Sequence, residues 1–184
     1  MSNKTKYYVI GTLAAAIGGF FIQGVSDPGV AYTGSKEGFR SVPYKDIGGV
    51  PTVAFGNTVH PDGRKVKMTD PPVSKKQGLE YLKAHYAKDA PVFNKSLQGI
   101  KLSQDEYDLY ADFSYQFGQN TWSKSSMLKN LKAGQYTQAC NSLLKYKYAA
   151  GRDCSIRSNN CYGVYTRQLE RYNKCMGANL WFQP

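Results

Sequence analysis

Two acidic side chains and a threonine lie close together near the start of the chain, and the two acids are of the type that hydrolysis of a glycosidic bond needs. Eight residues separate Glu37 from Asp46, and five more separate Asp46 from Thr52. Such hydrolysis uses one carboxylic acid to protonate the leaving oxygen, and a second carboxylate to assist water or act as nucleophile. Glu37 and Asp46 are candidates for these roles, although paired acids alone are common on protein surfaces.

The elements around these side chains are predicted to be a helix end and a small antiparallel sheet. Glu37 lies at the start or end of a helix in residues 35–38. Val, Thr and Phe then alternate over residues 42–66, between glycines and a turn at residues 60–63. This alternation is typical of short antiparallel strands. We expect a β lobe over about residues 42–70, with Asp46 at its entrance.

The chain beyond residue 72 predicts helices. Ser74 with Gln77, and Ser103 with Glu106, have the spacing of helix-capping pairs. The second of these helices is expected to end at Gly118. Further helices are expected over residues 124–132, 136–148 and 164–176. The fold class is therefore predicted as α+β, with a mostly helical lobe over about residues 74–177.

The N-terminal segment can enter a membrane. After Lys4 and Lys6, twenty residues (7–26) carry no charge, but glycines and alanines make the run only weakly apolar. We predict a signal-anchor or signal segment over residues 1–27 and a catalytic domain over residues 28–184. A cleavable signal peptide is the alternative, with Ser26 or Ala31 near the cleavage site.

All four cysteines lie in the last part of the chain, and their number is even. Their nested order favours one disulfide between Cys154 and Cys161 and another between Cys140 and Cys175, although four cysteines allow three connectivities. A zinc site is the rival, weakened because no Cys-x-x-Cys pair occurs. Disulfides would place the protein in an oxidising compartment.

The chain is strongly basic, with a formal net charge of +11. Residues 143–176 hold seven basic residues against two acidic ones. An excess of this kind favours polyanions such as nucleic acid, anionic lipid or bacterial envelope polymers. The late basic residues form either a solvated helix face or an envelope-binding surface.

The spacing of Glu37, Asp46 and Thr52, with Tyr44 before Asp46 and two glycines after it, resembles the catalytic signature of the phage lysozymes of glycoside hydrolase family 24. The resemblance continues at residues 113–118, 125–129 and 163–170, and covers about residues 35–176. The chain departs from the family where Ala54 replaces a frequent glycine, Asn57 a histidine and Gln168 an arginine. These departures affect the wall of the site and leave the three catalytic side chains in place.

The resemblance implies a lysozyme-like fold with an active-site cleft between the two lobes. It implies an endolysin that hydrolyses the β-1,4 bonds between N-acetylmuramic acid and N-acetylglucosamine in peptidoglycan, causing host cell lysis without a cofactor or metal. Glu37 would be the general acid, while Asp46 and Thr52 would position the attacking water with inversion. A proton donor of this kind must be shielded from water, so we expect Glu37 to be partly buried.

Four further residues match family positions that contact the glycan: Thr58, Tyr115, Gln116 and Ser125. Ordinary helix caps and core aromatics remain the alternative for them. Arg167 matches a late family arginine that orients an acid near the site through a buried ion pair, with a surface arginine as the alternative.

The family also includes enzymes whose N-terminal segment first tethers them to a membrane. We therefore expect export to the periplasm of a Gram-negative host, with tethering to the inner membrane before release. We expect a monomer that binds peptidoglycan glycan strands and no nucleic acid.

Other classes of protein fit the sequence less well. A zinc amidase lacks ligands, since the chain has only two histidines. Neither His60 nor His85 lies in a nucleophile motif of a Ser-His-Asp hydrolase. The serious rival is a tethered basic module that binds peptidoglycan without cutting it, and it would have no need for the unit formed by Glu37, Asp46 and Thr52.

Overall fold

The computed structural model describes residues 8–9, 22 and 24–179. They divide into a β-hairpin unit, residues 24–91, and a helical unit made of residues 92–179 together with 8–9 and 22. In chain order the elements are β1 (Tyr8–Val9), α1 (Asp27–Lys36), β2 (Arg40–Lys45), β3 (Pro51–Ala54), α2 (Lys75–Ser96), β4 (Lys101–Leu102), α3 (Gln104–Phe117), α4 (Gln119–Ser123), α5 (Ser126–Lys132), α6 (Tyr136–Leu143), β5 (Tyr148–Ala149), β6 (Arg152–Asp153) and α7 (Tyr162–Asn179).

The β-hairpin unit begins with α1 and continues into the antiparallel hairpin of β2 and β3, in which Tyr44 is the register partner of Thr52. Helix α1 packs closely on α2 because Gly34 has no side chain. A Cβ at Gly34 would lie 2.9 Å from Leu79 Cδ2 and 3.3 Å from Phe55. The hydroxyls of Thr33 and Tyr86 join the same two helices at 2.7 Å. These contacts fix the helix that ends beside Glu37.

The loop that follows the hairpin is held to α2 by a chain of polar side chains. His60 Nε2 bonds Asp70 Oδ2 at 2.8 Å, and His60 Nδ1 bonds the Tyr81 hydroxyl. Arg64 Nη1 and the backbone N–H of Lys67 also donate to the Asp70 carboxylate. The hydrogen bond from Lys67, followed by that from His60, holds the pKa of Asp70 well below its usual range. Both ring nitrogens of His60 are thus used in hydrogen bonds to Asp70 and Tyr81, and neither bonds a serine as a Ser-His-Asp hydrolase would require.

The helical unit has a core of large aromatic and aliphatic side chains. Tyr107, Tyr110, Phe113 and Trp122 are almost completely buried, and the Trp122 indole donates to Ser96 Oγ at 2.8 Å. Helix α3 packs against α7, and α6 packs against both α5 and α7. Strand β1 pairs antiparallel with β4. The α+β prediction is confirmed.

Most of the predicted element boundaries are observed. Ser103 and Glu106 form the predicted capping box, and α3 ends at Gly118. The helix predicted over residues 136–148 is too long, because α6 stops at Leu143 and Tyr148–Ala149 pairs with Arg152–Asp153. The helix predicted from residue 164 begins earlier, at Tyr162. The structure also shows α1, whose sequence signal was Ser26 followed by Asp27 and Pro28.

Candidate active site

Glu37 is positioned by the end of α1. Ser26 caps the start of this helix by accepting a hydrogen bond from Gly29 N at 3.1 Å, and the helix runs from Asp27 to Lys36. Glu37 is its C-cap, with extended backbone angles that lead the chain into β2. The side chain is half-buried, as predicted.

Asp46 lies in the turn between β2 and β3. Its Oδ1 accepts a hydrogen bond from Val50 N at 2.8 Å, and its carbonyl accepts from Gly49 N at 2.9 Å. Gly49 adopts a φ of 77°, which favours glycine. Asp46 is exposed, so a solvent molecule has access to its carboxylate.

Thr52 follows on β3 and is 2% exposed. Its hydroxyl donates to the Val50 carbonyl at 2.9 Å. The same carbonyl accepts from Asp46 N at 3.0 Å. The predicted triad therefore lies within one unit, on the continuous segment formed by α1, β2 and β3.

The backbone conformation of Ala54 shows why the family frequently has a glycine at this position. It has a φ of 57°, in the left-handed region that costs an alanine about 1–2 kcal/mol. A glycine would adopt this conformation without that cost. Ala54 is also fully buried, so its methyl group compensates for part of the strain by packing.

The four residues predicted to bind glycan have different surroundings. Thr58 is exposed, and its carbonyl accepts from Val66 N at 2.9 Å. Tyr115 and Gln116 are half-buried on α3. Ser125 is buried and caps α5, with its Oγ accepting from Leu128 N at 3.1 Å. The binding roles of all four remain predictions.

A buried ionic cluster in the helical unit includes the predicted Arg167. Asp112 on α3 is 1% exposed, while Arg167 and Arg171 on α7 are 6% and 1% exposed. Arg167 donates to Asp112 through Nε at 3.2 Å and Nη2 at 2.6 Å. Arg167 is therefore buried in an ion pair and the surface interpretation is wrong, whereas its role in orienting an acid near the active site remains a prediction.

The partners Asp112 and Arg171 were not singled out from the sequence. The sequence did contain a signal for them. Asp112 and Gln116 on α3 are four residues apart, and so are Arg167 and Arg171 on α7. This spacing places the two members of each pair on one face of their helix. The predicted basic surface also needs correction, because Arg167 and Arg171 are buried and add no charge to a solvated face.

Both disulfides join the cysteines favoured by their nested order. Cys140 pairs with Cys175 at a Cα–Cα distance of 5.5 Å, and Cys154 pairs with Cys161 at 4.9 Å. The zinc alternative fails for these residues, since all four sulfurs are used in disulfide bonds.

Comparison with known proteins supplies the class. The chain matches the phage lysozyme family over residues 34–170 and belongs to that family. It is therefore a lysozyme, a hydrolase of the muramidase type. The probable prophage lysozyme of Escherichia coli (strain K12) is 30% identical over 181 residues, covering 96% of this chain and 98% of that protein.

Two further similarities extend this result. The SAR-endolysin of Escherichia phage 933W is 29% identical over 187 residues, covering 97% of this chain and 99% of that protein. The crystal structure of a P22 lysozyme mutant superposes with a TM-score of 0.71 at 24% identity, covering 84% of this chain and 99% of that one. The second similarity confirms the lysozyme-like fold.

The predicted signal-anchor of residues 1–27 lies largely outside the described residues. Within the part of the chain that the structure describes, no helix is long and apolar enough to cross a membrane.

Proposed function

We propose that this lysozyme cleaves the β-1,4 bonds between N-acetylmuramic acid and N-acetylglucosamine in peptidoglycan, and that this cleavage lyses the host cell. The observation that carries the proposal is the arrangement of the triad on one folded segment. Glu37 is half-buried at a helix end, while Asp46 and Thr52 are both hydrogen-bonded to Val50. Glu37 protonates the leaving oxygen, and Asp46 with Thr52 holds the attacking water.

The hydrogen bonds of Thr52 support its role in holding water. Its hydroxyl hydrogen is donated to the Val50 carbonyl, so toward a water molecule the hydroxyl oxygen acts only as an acceptor. The ionised Asp46 carboxylate is also an acceptor only. A water between them donates one hydrogen to each and directs a lone pair at the anomeric carbon. Transfer of its proton to Asp46 completes an inverting displacement.

The experiment compares the full chain with Glu37→Gln and a matched control, Glu80→Gln. Glu80 is 55% exposed on α2 and pairs with Lys83, so its substitution makes the same chemical change outside the triad. Purified peptidoglycan is incubated with each protein, and the new reducing ends are identified. We expect Glu37→Gln to lower the rate by about 10²–10⁴-fold, and Glu80→Gln to change it less than twofold.

The released sugar ends identify the bond and the stereochemistry. Reducing ends at N-acetylmuramic acid, first formed as the α anomer, are the expected products. Equal rates for Glu37→Gln and the unmodified chain would remove Glu37 as the acid and favour a module that binds without cutting. A β anomer formed first would replace inversion by a retaining route through a covalent intermediate.

We also propose that the chain is exported and initially tethered to the inner membrane of a Gram-negative host. The support is the uncharged run at residues 7–26 behind two lysines, together with the similarity to a SAR-endolysin over 97% of this chain. Fractionation of expressing cells tests this. We expect full-length protein first with the inner membrane and later in the periplasmic fraction, whereas cytoplasmic protein alone would contradict export.

A further inference from the structure

The basic side chains of residues 143–176 have different surroundings in the folded chain. Arg167 and Arg171 are buried. Lys147 and Lys174 form ion pairs with carboxylates at 2.8 Å and 3.1 Å. The other three are exposed, and among the described residues no acid forms an ion pair with them. They all lie on one short segment and are Lys145, Arg152 and Arg157.

This segment is folded back on itself by the hairpin of β5 and β6 and by the disulfide between Cys154 and Cys161. Its single acid is Asp153. The Asp153 carboxylate accepts from Lys147 Nζ at 2.8 Å and from Ser155 N at 2.9 Å. The negative charge is thus used inside the segment, which leaves the outer charge positive. A segment braced in this way loses little freedom when it binds a partner.

Two large apolar side chains are exposed beside these charges. Tyr148 is 55% exposed and Ile156 is 51% exposed. Tyr148 lies on β5 opposite Asp153, and Ile156 precedes Arg157 along the chain. The Arg157 guanidinium lies over the Tyr162 ring, 4.1 Å from its centroid. We call the exposed side chains of this segment the loop patch, which consists of Lys145, Tyr148, Arg152, Ile156 and Arg157.

The combination of cations and apolar groups fits the surface of a bilayer that contains anionic phospholipids. Lysine and arginine are attracted to such a surface. Tyrosine lies at the headgroup level, and an aliphatic side chain gains free energy by entering the boundary of the acyl chains. A soluble polyanion would use the three charges and leave Ile156 in water. The uncharged run at residues 7–26 independently indicates that this chain meets a bilayer.

We propose that the loop patch binds the surface of an anionic phospholipid bilayer. Its three cations contact the lipid phosphates, while Tyr148 and Ile156 enter the interface between headgroups and acyl chains. The contact differs from the proposed tether because it uses the folded helical unit and not the N-terminal segment. It is also independent of the proposed cleavage, since none of these side chains belongs to the triad.

The first test measures binding of the full chain to vesicles by sedimentation. Vesicles of phosphatidylethanolamine with phosphatidylglycerol are compared with vesicles of phosphatidylcholine alone. The N-terminal segment is the same in every variant, so differences between variants report the loop patch. We expect Arg152→Gln with Arg157→Gln to weaken binding to the anionic vesicles about fivefold for each lost charge, and so about 25-fold for both. Binding to the phosphatidylcholine vesicles should not change.

The matched control removes the same number of charges elsewhere in the helical unit. Lys129 and Lys132 are exposed on α5, and Lys129→Gln with Lys132→Gln gives the same net charge as the first double variant. A difference between the two double variants therefore reports the position of the charges and not their number. We expect the control to weaken binding less than about twofold, since exposed charges beyond a Debye length of the lipid are screened.

The second test asks whether the apolar side chains enter the bilayer. We expect Ile156→Ser to weaken binding to the anionic vesicles about fivefold, because it removes apolar area from the interface. Val92→Ser is the control, since Val92 is 63% exposed on α2, and its binding should equal that of the unmodified chain. Ile156→Trp adds a direct readout, because anionic lipids brominated on their acyl chains should quench the emission of the added indole.

Two outcomes would overturn the proposal. Equal losses in the two double variants would show that only net charge matters. A loss in Arg152→Gln with Arg157→Gln, together with unchanged binding of Ile156→Ser and an unquenched indole at position 156, would replace the bilayer with a polyanion held by charge alone. Exposed substitutions change the free energy of unfolding little, so urea unfolding of each variant separates lost binding from lost folding.

Discussion

Asp46 and Thr52 are hydrogen-bonded to the two backbone polar groups of one residue, Val50. Asp46 Oδ1 accepts from Val50 N at 2.8 Å, and Thr52 Oγ1 donates to Val50 O at 2.9 Å. Any movement of this turn therefore displaces both side chains together. The hairpin register, with Tyr44 opposite Thr52, fixes the turn that holds them.

The hydroxyl of Thr52 should matter more than its methyl group. Thr52→Val removes the bond to Val50 and the acceptor for water, and we expect activity to fall about 10²-fold or more. Thr52→Ser retains the hydroxyl and should keep most of the activity. Each variant should lose about 1 kcal/mol of unfolding free energy. Reducing-end assays and urea unfolding of both variants check this, and equal activities would remove the hydroxyl from the mechanism.

Asp112 should be essential for folding stability. Asp112→Asn removes the carboxylate to which the buried Arg167 and Arg171 both donate, and breaking a buried ion pair in this way costs about 3–5 kcal/mol. Urea unfolding measures the loss. Asp105→Asn is the comparison, since that carboxylate is 63% exposed and pairs with Lys174, so its loss should be below about 1 kcal/mol. Similar losses for the two variants would contradict the buried network.

The two disulfides should contribute unequally. Cys140–Cys175 spans a sequence separation of 35 and Cys154–Cys161 one of 7. Chain-entropy arguments give about 4 kcal/mol for the longer loop and about 2 kcal/mol for the shorter one. Replacing both cysteines of each pair by serine and comparing the unfolding free energies tests this order. A larger loss from the short loop would show that local packing outweighs loop entropy.

Asp153 should contribute to stability except in strong acid. Its hydrogen bond from Lys147, followed by those from Ser155, lowers its pKa from 3.8 to about 2. The pKa is lower in the folded chain, so the contribution is complete above pH 3.8 and is lost as the pH falls through about 2. Unfolding of the unmodified chain and Asp153→Asn should therefore differ at pH 6 and converge near pH 2. A difference independent of pH would show that the ionised carboxylate is not responsible.

The local sequence was sufficient to predict most of the elements and to propose the triad. The box formed by Ser103 and Glu106 marked the start of α3, and Gly118 marked its end, because capping groups lie within a few residues of the backbone they satisfy. Glu37, Asp46 and Thr52 lie within 16 residues of chain, so their spacing could be compared with the signature of the phage lysozyme family, and that resemblance was enough to propose a reaction. The end of α6 was misjudged because Tyr148 pairs with Asp153 across a turn, and the local sequence favoured helix at that point.

What the sequence determined by itself was the class of element at most positions and the favoured disulfide pairing, and it was enough to propose the three catalytic side chains. The tertiary structure alone decided that Arg167 and Arg171 are buried on Asp112, 55 and 59 residues away along the chain. It also decided that Arg171 faces the oxygen of Gln116. The physical reason is that burial and ion pairing depend on how α3 and α7 pack, and an arginine on a helix has the same local signal whether its partner is water or a carboxylate.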